Sequence, residues 1–280
     1  MPELPEVETV VRDLRPLLVG RTIQRVVCGK RKLRRPWKPA WSKAIAGLMV
    51  TAIRRRGKWI IVDGRAGSVS DRSSGSLLLH LGMTGQLTVV PETVERQDHT
   101  HLIYPLDNKS ELRFRDVRRF GSADWFASST LLDEHLDAKL GPEPFDITSE
   151  EFRTALRGSA RCLKAILLDQ AIIAGVGNIY ADEASFLARL RPGRKGTSLS
   201  NSDCDRLREA IVVVLTNAIE GRGSTIKDYV GGSGLMGTYQ GEFRAYGRTG
   251  EPCVTCGTAI QMERLAGRSS HYCPRCQKLE

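Results

Sequence analysis

Apolar residues near the start of the chain recur at helical spacing. Pro5 suits the first turn of a helix, where a missing N–H donor costs nothing. Glu6 and Glu8 favour the positive end of the helix dipole, and Gly20 ends the pattern. We therefore predict an opening amphipathic helix whose spacing is carried by Val7, Val10, Val11, Leu14, Leu17 and Leu18.

From residue 22 to about residue 126 the pattern changes to short extended runs, broken by glycine and by the Asp107-Asn108 turn. A Ser/Gly-rich stretch over residues 66–76 is predicted to be an exposed loop, to which we assign no function. Many short strands without regular helices between them are typical of antiparallel sheets stacked as a sandwich. The predicted strands cover residues 50–62, 77–90, 101–106 and 111–120.

The pattern changes again near residues 140–144, where glycine and proline predict a linker. Helical spacing follows, then a glycine-rich loop over residues 231–241 and a cysteine-rich end. The predicted fold class is α+β with two domains, an N-terminal antiparallel β-sandwich with an N-terminal helix and a helical C-terminal domain ending in a metal-binding hairpin. The predicted C-terminal helices cover residues 149–156, 161–171, 179–188 and 202–219.

Composition places the chain among globular proteins. Of its 280 residues 41% are hydrophobic, which is enough for a packed core and excludes a disordered tail. No stretch approaches the roughly 18 apolar residues of a membrane helix. Residues 1–6 are acidic where a secretory signal is basic and then apolar. These patterns predict a cytoplasmic protein that does not contact membranes.

Charge indicates a polyanionic partner. Lys and Arg number 42 against 32 Asp and Glu, a net charge of +10. Residues 21–58 contain 13 basic residues and no acidic one. Such a field favours nucleic acid, because each neutralised phosphate releases a counterion. A solvated basic face is the alternative, whereas Pro36, Pro39 and Gly57 disfavour a membrane-surface helix.

The C-terminal cysteines have the spacing of a zinc site. Two CxxC pairs are separated by 16 residues, as in a tetrathiolate zinc hairpin. Four thiolates leave no coordination position for substrate, so we predict one structural Zn²⁺; a catalytic zinc or an iron–sulfur cluster is the alternative. The predicted ligands are Cys253, Cys256, Cys273 and Cys276.

Pro2 and Glu3 are candidate catalytic residues. Removal of Met1 leaves Pro2 as a terminal secondary amine, whose reference pKa is about 8 against about 10.4 for lysine. A neutral amine can attack a sugar C1′ and form an iminium, while Glu3 moves the proton. The alternative is structural, with Pro2 preceding a helix and Glu3 capping it.

Two further motifs fit chemistry on nucleic acid. Residues 175–180, GVGNIY, join two predicted helices, and their glycines and helix N-terminus suit a phosphate, although a plain connector is the alternative. Arg118 and Arg119 precede Phe120, and Met83 lies in HLGM; arginine and apolar side chains fill the gap when an enzyme extrudes a base. The alternative places Met83 and Phe120 in the sandwich core.

These motifs occur in one order along the whole chain: MPELPEVETV, RRRGK, HLGMTG, HTH, RRFG, LGPEP, LLDQ, AGVGNIYADE and the CxxC pairs. That series closely resembles the bacterial formamidopyrimidine-DNA glycosylase family, which repairs oxidised purines. The resemblance implies a catalytic β-sandwich over residues 1–135, a linker over 136–150, a helix–two-turn–helix domain with a lesion-covering loop over 151–240 and a zinc finger over 241–280. DNA would lie in the cleft between the domains, and the protein would be a monomer.

The resemblance also implies roles for individual residues. Pro2 would attack C1′ of the damaged nucleotide with Glu3 as acid/base, Lys58 would donate a proton during β-elimination, and Arg268 would assist δ-elimination. Glu6 would lie near the active site. Met83, Arg118 and Phe120 would fill the void, with Arg118 facing the orphaned cytosine. The implied phosphate contacts are His99, Arg119, Arg161, Lys164 and Asn178.

The implied activity is a bifunctional DNA glycosylase and AP lyase that excises 8-oxoguanine and formamidopyrimidines from duplex DNA. Three departures from the family pattern concern individual phosphate contacts, namely Thr100, Val117 and Ala160. The alternatives are an endonuclease VIII-like glycosylase for oxidised pyrimidines and a non-catalytic zinc-finger protein that binds damaged DNA. Leu4, where endonuclease VIII typically has glycine, disfavours the first, and the complete set of catalytic residues disfavours the second.

Overall fold

The structure, a computed structural model, describes residues 1–29, 33–66, 74–225, 231–232 and 237–278. Residues 67–73 of the predicted exposed loop and 233–236 of the glycine-rich loop lie outside the described residues. The chain forms two compact units. The first is Met1–Ala138 with Gly221–Thr238, and the second is Lys139–Glu220 with Tyr239–Glu280. The described residues of Gly221–Thr238 thus belong with the sandwich, although residues 151–240 were predicted as one domain.

The opening helix, α1 (Leu4–Leu18), forms where the apolar spacing predicts it. Pro5 lies in its first turn, and the Glu6 carboxylate accepts the N–H of Glu3, the N-cap residue, at 2.8 Å. The apolar face is buried except at Leu17, which is exposed. Leu17 follows the same helical spacing but is not part of the buried face.

Two antiparallel sheets form the sandwich of the first unit. The first sheet contains β1 (Thr22–Ile23), β3 (Leu48–Arg56), β4 (Trp59–Ala66), β5 (Ser74–His80) and β9 (Ser122–Phe126). The second contains β2 (Val27–Cys28), β6 (Gly85–Pro91), β7 (Thr100–Pro105) and β8 (Ser110–Asp116). The strands pair in the orders β1-β3-β4-β5-β9 and β2-β7-β8-β6. Two helices that were not predicted, α2 (Pro39–Ile45) and α3 (Ser129–Asp137), complete the described elements of this unit.

Three of the predicted strands differ in extent. The run over residues 50–62 is the β3–β4 hairpin, in which Arg56 pairs with Trp59 across a turn at Gly57. The run over 77–90 is interrupted because Gly82 has a positive φ of 63°, which side-chain-bearing residues rarely adopt. The run over 111–120 ends at Asp116.

The sandwich core is one hydrophobic cluster that includes the buried face of α1. The helix packs against β3, β4 and β6, so that it contacts both sheets. This packing fixes the beginning of the chain to the sandwich. Core residues contributed by the sheets include Ile53, Ile60, Val62, Leu77, Leu79, Leu87, Tyr104, Leu112 and Phe114.

The second unit is helical and ends in a hairpin. The predicted helix over 161–171 is shorter at both ends, because Cys162 forms a bridge with Lys195 and Asp169 turns to an extended backbone. The elements are α4 (Ser149–Arg157), α5 (Leu163–Leu168), α6 (Asn178–Leu187), α7 (Asn201–Glu220), β10 (Gln261–Leu265) and β11 (Arg268–Tyr272). Helix α6 packs on both α7 and β11.

The predicted fold class is confirmed: an N-terminal antiparallel sandwich is followed by a helical unit with a metal-binding hairpin. Among the described helices, none combines the length and apolar character needed to span a bilayer.

Candidate functional site

The first residues of the chain are built into the packed structure. Met1 is 52% exposed, but Pro2 is buried and Glu3 is 3% exposed. Glu6, also buried, accepts the Glu3 N–H with one oxygen and the Ser224 N–H with the other, each at 2.8 Å. Chain termini are usually poorly ordered unless they are tied down. Here the Pro2–Glu3 segment is held in place by α1 and by the start of the segment that leads to the glycine-rich loop.

Lys58 occupies the turn of the β3–β4 hairpin and is 6% exposed. Arg55 supports this turn, because its Nη1 donates to the Gly57 carbonyl at 3.2 Å and its Nε pairs with Glu8 of α1 at 3.0 Å. Burial alone would raise the pKa of Glu8, but Arg12 and Arg55 lower it below its usual value. Arg55 therefore ties the turn that carries Lys58 to the helix that begins beside Pro2.

His80, the first residue of the HLGM motif, lies near Lys58 and had no predicted role. Its Nδ1 accepts the Gly82 N–H at 3.0 Å, and its ring lies 4.7 Å from the Trp59 ring. Burial, and then the positive charge of Lys58, lower the pKa of His80 to about 4. His80 is therefore neutral near pH 7 and supports the turn that precedes Met83. The sequence signal that could have identified His80 is its position two residues before the turn glycine Gly82.

Met83 and Phe120 are surface residues, not core residues. Met83 is 38% exposed and Phe120 is 42% exposed. The Arg118 guanidinium lies 4.8 Å from the Phe120 ring centroid and the Arg34 guanidinium lies 5.7 Å from it, both within cation–π range. The alternative that placed Met83 and Phe120 in the sandwich core is wrong.

Asp116, which was not among the predicted site residues, connects the turns that carry these surface residues. It is fully buried at the end of β8. Its carboxylate accepts from Thr84 Oγ1 at 2.5 Å, from the Gly121 N–H at 2.7 Å and from the Arg118 N–H at 3.2 Å. Thr84 follows Met83, while Arg118 and Gly121 flank Phe120. One carboxylate thus joins the turn that carries Met83 to the turn that carries Arg118 and Phe120.

His99 and Arg119 share an unusual backbone conformation. Their φ angles are 66° and 57°, in the left-handed region that such residues seldom occupy. The His99 carbonyl accepts the Asp116 N–H at 3.0 Å, which fixes His99 beside the end of β8. Local strain of this kind concentrates at functional sites, and Arg119 is exposed to solvent.

In the second unit, Lys164 does not lie on the surface, as the predicted phosphate contact requires. It is fully buried, and its Nζ donates to Asp182 at 2.5 Å and to the Asn178 main-chain carbonyl at 2.8 Å. A direct phosphate contact does not fit this position, so the prediction is corrected to a buried support for the Asn178 turn. Arg161 remains on the surface, paired with Asp169 at 2.9 Å.

The four C-terminal cysteines converge as a zinc site requires. Their Sγ atoms all lie within 4.8 Å of one another. Main-chain N–H groups of Thr255 and Cys276 point to Sγ of Cys253 and Cys273, each at 3.4 Å, which stabilises thiolates. This donor set fits one tetrahedral Zn²⁺ with a closed coordination sphere, and the predicted structural zinc is confirmed.

The zinc module carries Arg268 on an exposed turn. Ala266 and Gly267 connect β10 to β11 with φ angles of 48° and 72°, as a tight primed hairpin turn requires. Arg268 directly follows this turn and, like Arg264 on the facing strand, is exposed. The hairpin thereby presents two guanidinium groups to solvent.

Three family models match successive parts of the chain. The formamidopyrimidine-DNA glycosylase N-terminal domain matches residues 1–123, and the formamidopyrimidine-DNA glycosylase H2TH domain matches residues 140–230. The zinc finger found in FPG and IleRS matches residues 250–279.

Relatives and solved structures match over nearly the whole chain. Proteins named formamidopyrimidine-DNA glycosylase from Listeria innocua and Geobacillus kaustophilus are 39% and 41% identical, each covering 99% of this chain and 100% of the relative. A Lactococcus lactis FPG mutant in complex with Fapy-dG-containing DNA is 35% identical with a TM-score of 0.89, covering 99% of this chain and 100% of that one. The Thermus thermophilus protein is 39% identical with a TM-score of 0.84, covering 99% and 98%.

The fold and the site together define a two-unit, zinc-finger protein of the DNA glycosylase class. The chain belongs to the formamidopyrimidine-DNA glycosylase family, as the motif series predicts.

Proposed function

We propose that this protein is a bifunctional DNA glycosylase and AP lyase that removes 8-oxoguanine and formamidopyrimidines from duplex DNA. The observation that carries the proposal is the burial of Pro2 and Glu3, which are anchored through Glu6 to α1 and Ser224. A terminus needs such anchoring if its amine is to meet one sugar carbon in a fixed orientation. The relatives that carry the glycosylase name, and the solved complex with Fapy-dG-containing DNA, support the substrate class.

In the proposed reaction, Pro2 acts after removal of Met1. Its secondary amine attacks C1′ of the damaged nucleotide, a C1′–N bond forms, and the glycosidic bond to the base breaks. Glu3 moves the protons that base departure and opening of the sugar require, and the product is an iminium between Pro2 and C1′.

The iminium makes the C2′ proton acidic, so that β-elimination breaks the bond to the 3′ phosphate. We assign to Lys58 proton donation at this step together with a phosphate contact. Arg268 is assigned to the following δ-elimination, which releases the 5′ phosphate, and to contact with DNA phosphate. Both eliminations leave a one-nucleotide gap.

The remaining site residues are assigned to DNA binding. Met83, Arg118 and Phe120 fill the space vacated by the extruded base, with Arg118 facing the orphaned cytosine; their exposure and their connection through Asp116 support this role. His99, Arg119, Arg161 and Asn178 are assigned to phosphates. We place the enzyme in the bacterial cytoplasm as a monomer acting on double-stranded DNA.

Borohydride trapping on a duplex containing 8-oxoguanine tests this mechanism. We expect reduction to fix a covalent adduct that peptide mapping assigns to Pro2. Glu3→Gln is expected to lose most of the adduct, because base release loses its acid/base group, and Pro2→Gly is expected to reduce it. Pro36→Gly, an exposed proline outside α1, is the matched control and should trap normally.

An adduct on an internal side chain, or undiminished trapping in both Pro2→Gly and Glu3→Gln, contradicts the mechanism. Mass spectrometry that finds Met1 retained on the active protein contradicts it equally. Comparison of 8-oxoguanine with thymine glycol in matched duplexes tests the substrate class, since preference for thymine glycol indicates an endonuclease VIII-like enzyme.

A further inference from the structure

Asp182 lies on α6, and its side chain is fully buried between α5 and β11 of the second unit. One carboxylate oxygen accepts from Lys164 Nζ at 2.5 Å. The other accepts the His271 main-chain N–H at 2.9 Å and lies 2.9 Å from His271 Nδ1. A single side chain thereby joins α5 to β11, the strand of the zinc module that begins with Arg268.

Lys164 extends this connection to the Asn178 turn. Its ammonium donates at 2.8 Å to the main-chain carbonyl of Asn178, which is the first residue of α6. N–H groups at a helix N-terminus are available to bind a phosphate. Because an unpaired ammonium in the protein interior is strongly unfavourable, the position of Lys164 depends on Asp182. Asp182 thus acts on the Asn178 turn through Lys164.

Glu183, the next residue of α6, secures the zinc module at a second place. Its carboxylate accepts the main-chain N–H groups of Arg244, Ala245 and Tyr246 at 2.7–2.9 Å. Burial raises the pKa of Glu183, and these three donors oppose that rise. Asp182 differs from Glu183 in that it also reaches the Asn178 turn.

We propose that Asp182 is a positioning residue for DNA binding, which holds the Asn178 turn and the Arg268 hairpin in one fixed arrangement. Both groups can then engage neighbouring phosphates without a further ordering cost. The inference rests on the proposed function, which assigns Asn178 and Arg268 to DNA phosphates. An ion pair with a purely structural role would change stability alone, whereas a positioning residue also changes the DNA contacts.

The test measures the dissociation constant for a duplex with a tetrahydrofuran abasic analogue over a range of salt concentrations. We expect Asp182→Asn to weaken binding about tenfold and to reduce the salt slope by about one, as loss of one phosphate contact does. Combined with Arg268→Ala it should add only the several-fold loss that comes from the Asn178 turn, and combined with Arg119→Ala in the first unit it should add its full tenfold loss. Asp205→Asn, which breaks a surface ion pair with Arg153, is the control for ion-pair loss alone.

A second variant keeps the test decisive if Asp182→Asn is unstable. Lys164→Met with Asp182→Asn removes the buried charge and keeps an amide oxygen for the His271 N–H. We expect this double variant to retain zinc and the normal salt slope, because the hairpin stays in place. Its affinity for the duplex should remain several-fold below that of the unmodified protein, because the Asn178 carbonyl no longer receives the Lys164 ammonium.

Unchanged affinity and salt slope in both variants overturn the inference, as does a fully additive loss between Asp182→Asn and Arg268→Ala. Borohydride trapping at saturating enzyme reports the chemistry at Pro2 independently of affinity. If the unmodified protein forms no adduct, the proposed function fails. If every variant traps normally and binds normally, the role of Asp182 fails while the proposed function stands.

Discussion

His80 shows how one buried side chain makes stability depend on pH. Its pKa is lowered to about 4 from 6.5, so the native protein holds it neutral. In the unfolded chain the ring binds a proton below about pH 6.5, and the folded state does not do so until about pH 4. The contribution of His80 to stability is therefore intact above pH 6.5 and falls between these two values.

We expect this effect to remove about 2 kcal/mol of stability from the first unit between pH 7 and pH 5. Urea unfolding followed by tryptophan fluorescence measures it, because Trp59 lies against the His80 ring. In His80→Gln the pH-dependent loss should shrink by about that amount. Equal pH dependence in wild type and His80→Gln contradicts the assignment.

At the scale of elements, the Asp116 side chain joins the turn that carries Met83 to the turn that carries Phe120. Thr84 Oγ1 donates to Asp116 at 2.5 Å and accepts the Arg118 N–H at 3.1 Å. Thr84→Val removes both bonds while preserving shape, and a lost buried hydrogen bond costs about 1–2 kcal/mol. Because Arg118 is assigned to the orphaned cytosine, we expect the variant also to discriminate less between cytosine and adenine opposite 8-oxoguanine.

Excision from the two duplexes, measured under single-turnover conditions, gives this discrimination ratio. Thr88→Val, the same substitution within β6, is the matched control and should preserve the ratio. A variant at Thr84 that loses stability but keeps its opposite-base preference shows that Asp116 supports the fold without positioning Arg118.

How well the sequence predicts each element or site residue depends on how far apart in the chain the interacting residues lie. Helix α1 and the zinc hairpin depend on local spacing, and both were predicted. The interruption at Gly82 depends on a positive φ, which the apolar run over residues 77–90 conceals. Lys164 was predicted to be a surface contact because its buried partner, Asp182, lies 18 residues further on. Asp116 was not predicted as a site residue because its hydrogen-bond partners come from two separate turns.

At the scale of the whole molecule, the sandwich core and the hydrophobic cluster around the zinc cysteines differ greatly in size. The sandwich core extends through both sheets and α1, whereas the cluster around the zinc cysteines contains Phe186, Ala245, Cys253, Ile260 and Cys273. A small cluster of this kind depends on the metal for its folding free energy. Among the described residues, no group of candidate metal ligands lies in the sandwich, so its folding does not depend on zinc in this way.

Zinc removal is therefore expected to weaken DNA binding while the sandwich stays folded. All four tryptophans, Trp37, Trp41, Trp59 and Trp125, lie in the first unit, so their fluorescence reports this unit alone. Chelation should leave the emission maximum unchanged and should reduce both the affinity for an abasic-analogue duplex and its salt slope, because Arg264 and Arg268 lose their hairpin. Cys273→Ser should reproduce this result and Cys28→Ser should not. A red shift of tryptophan emission on chelation would show instead that the metal stabilises both units together.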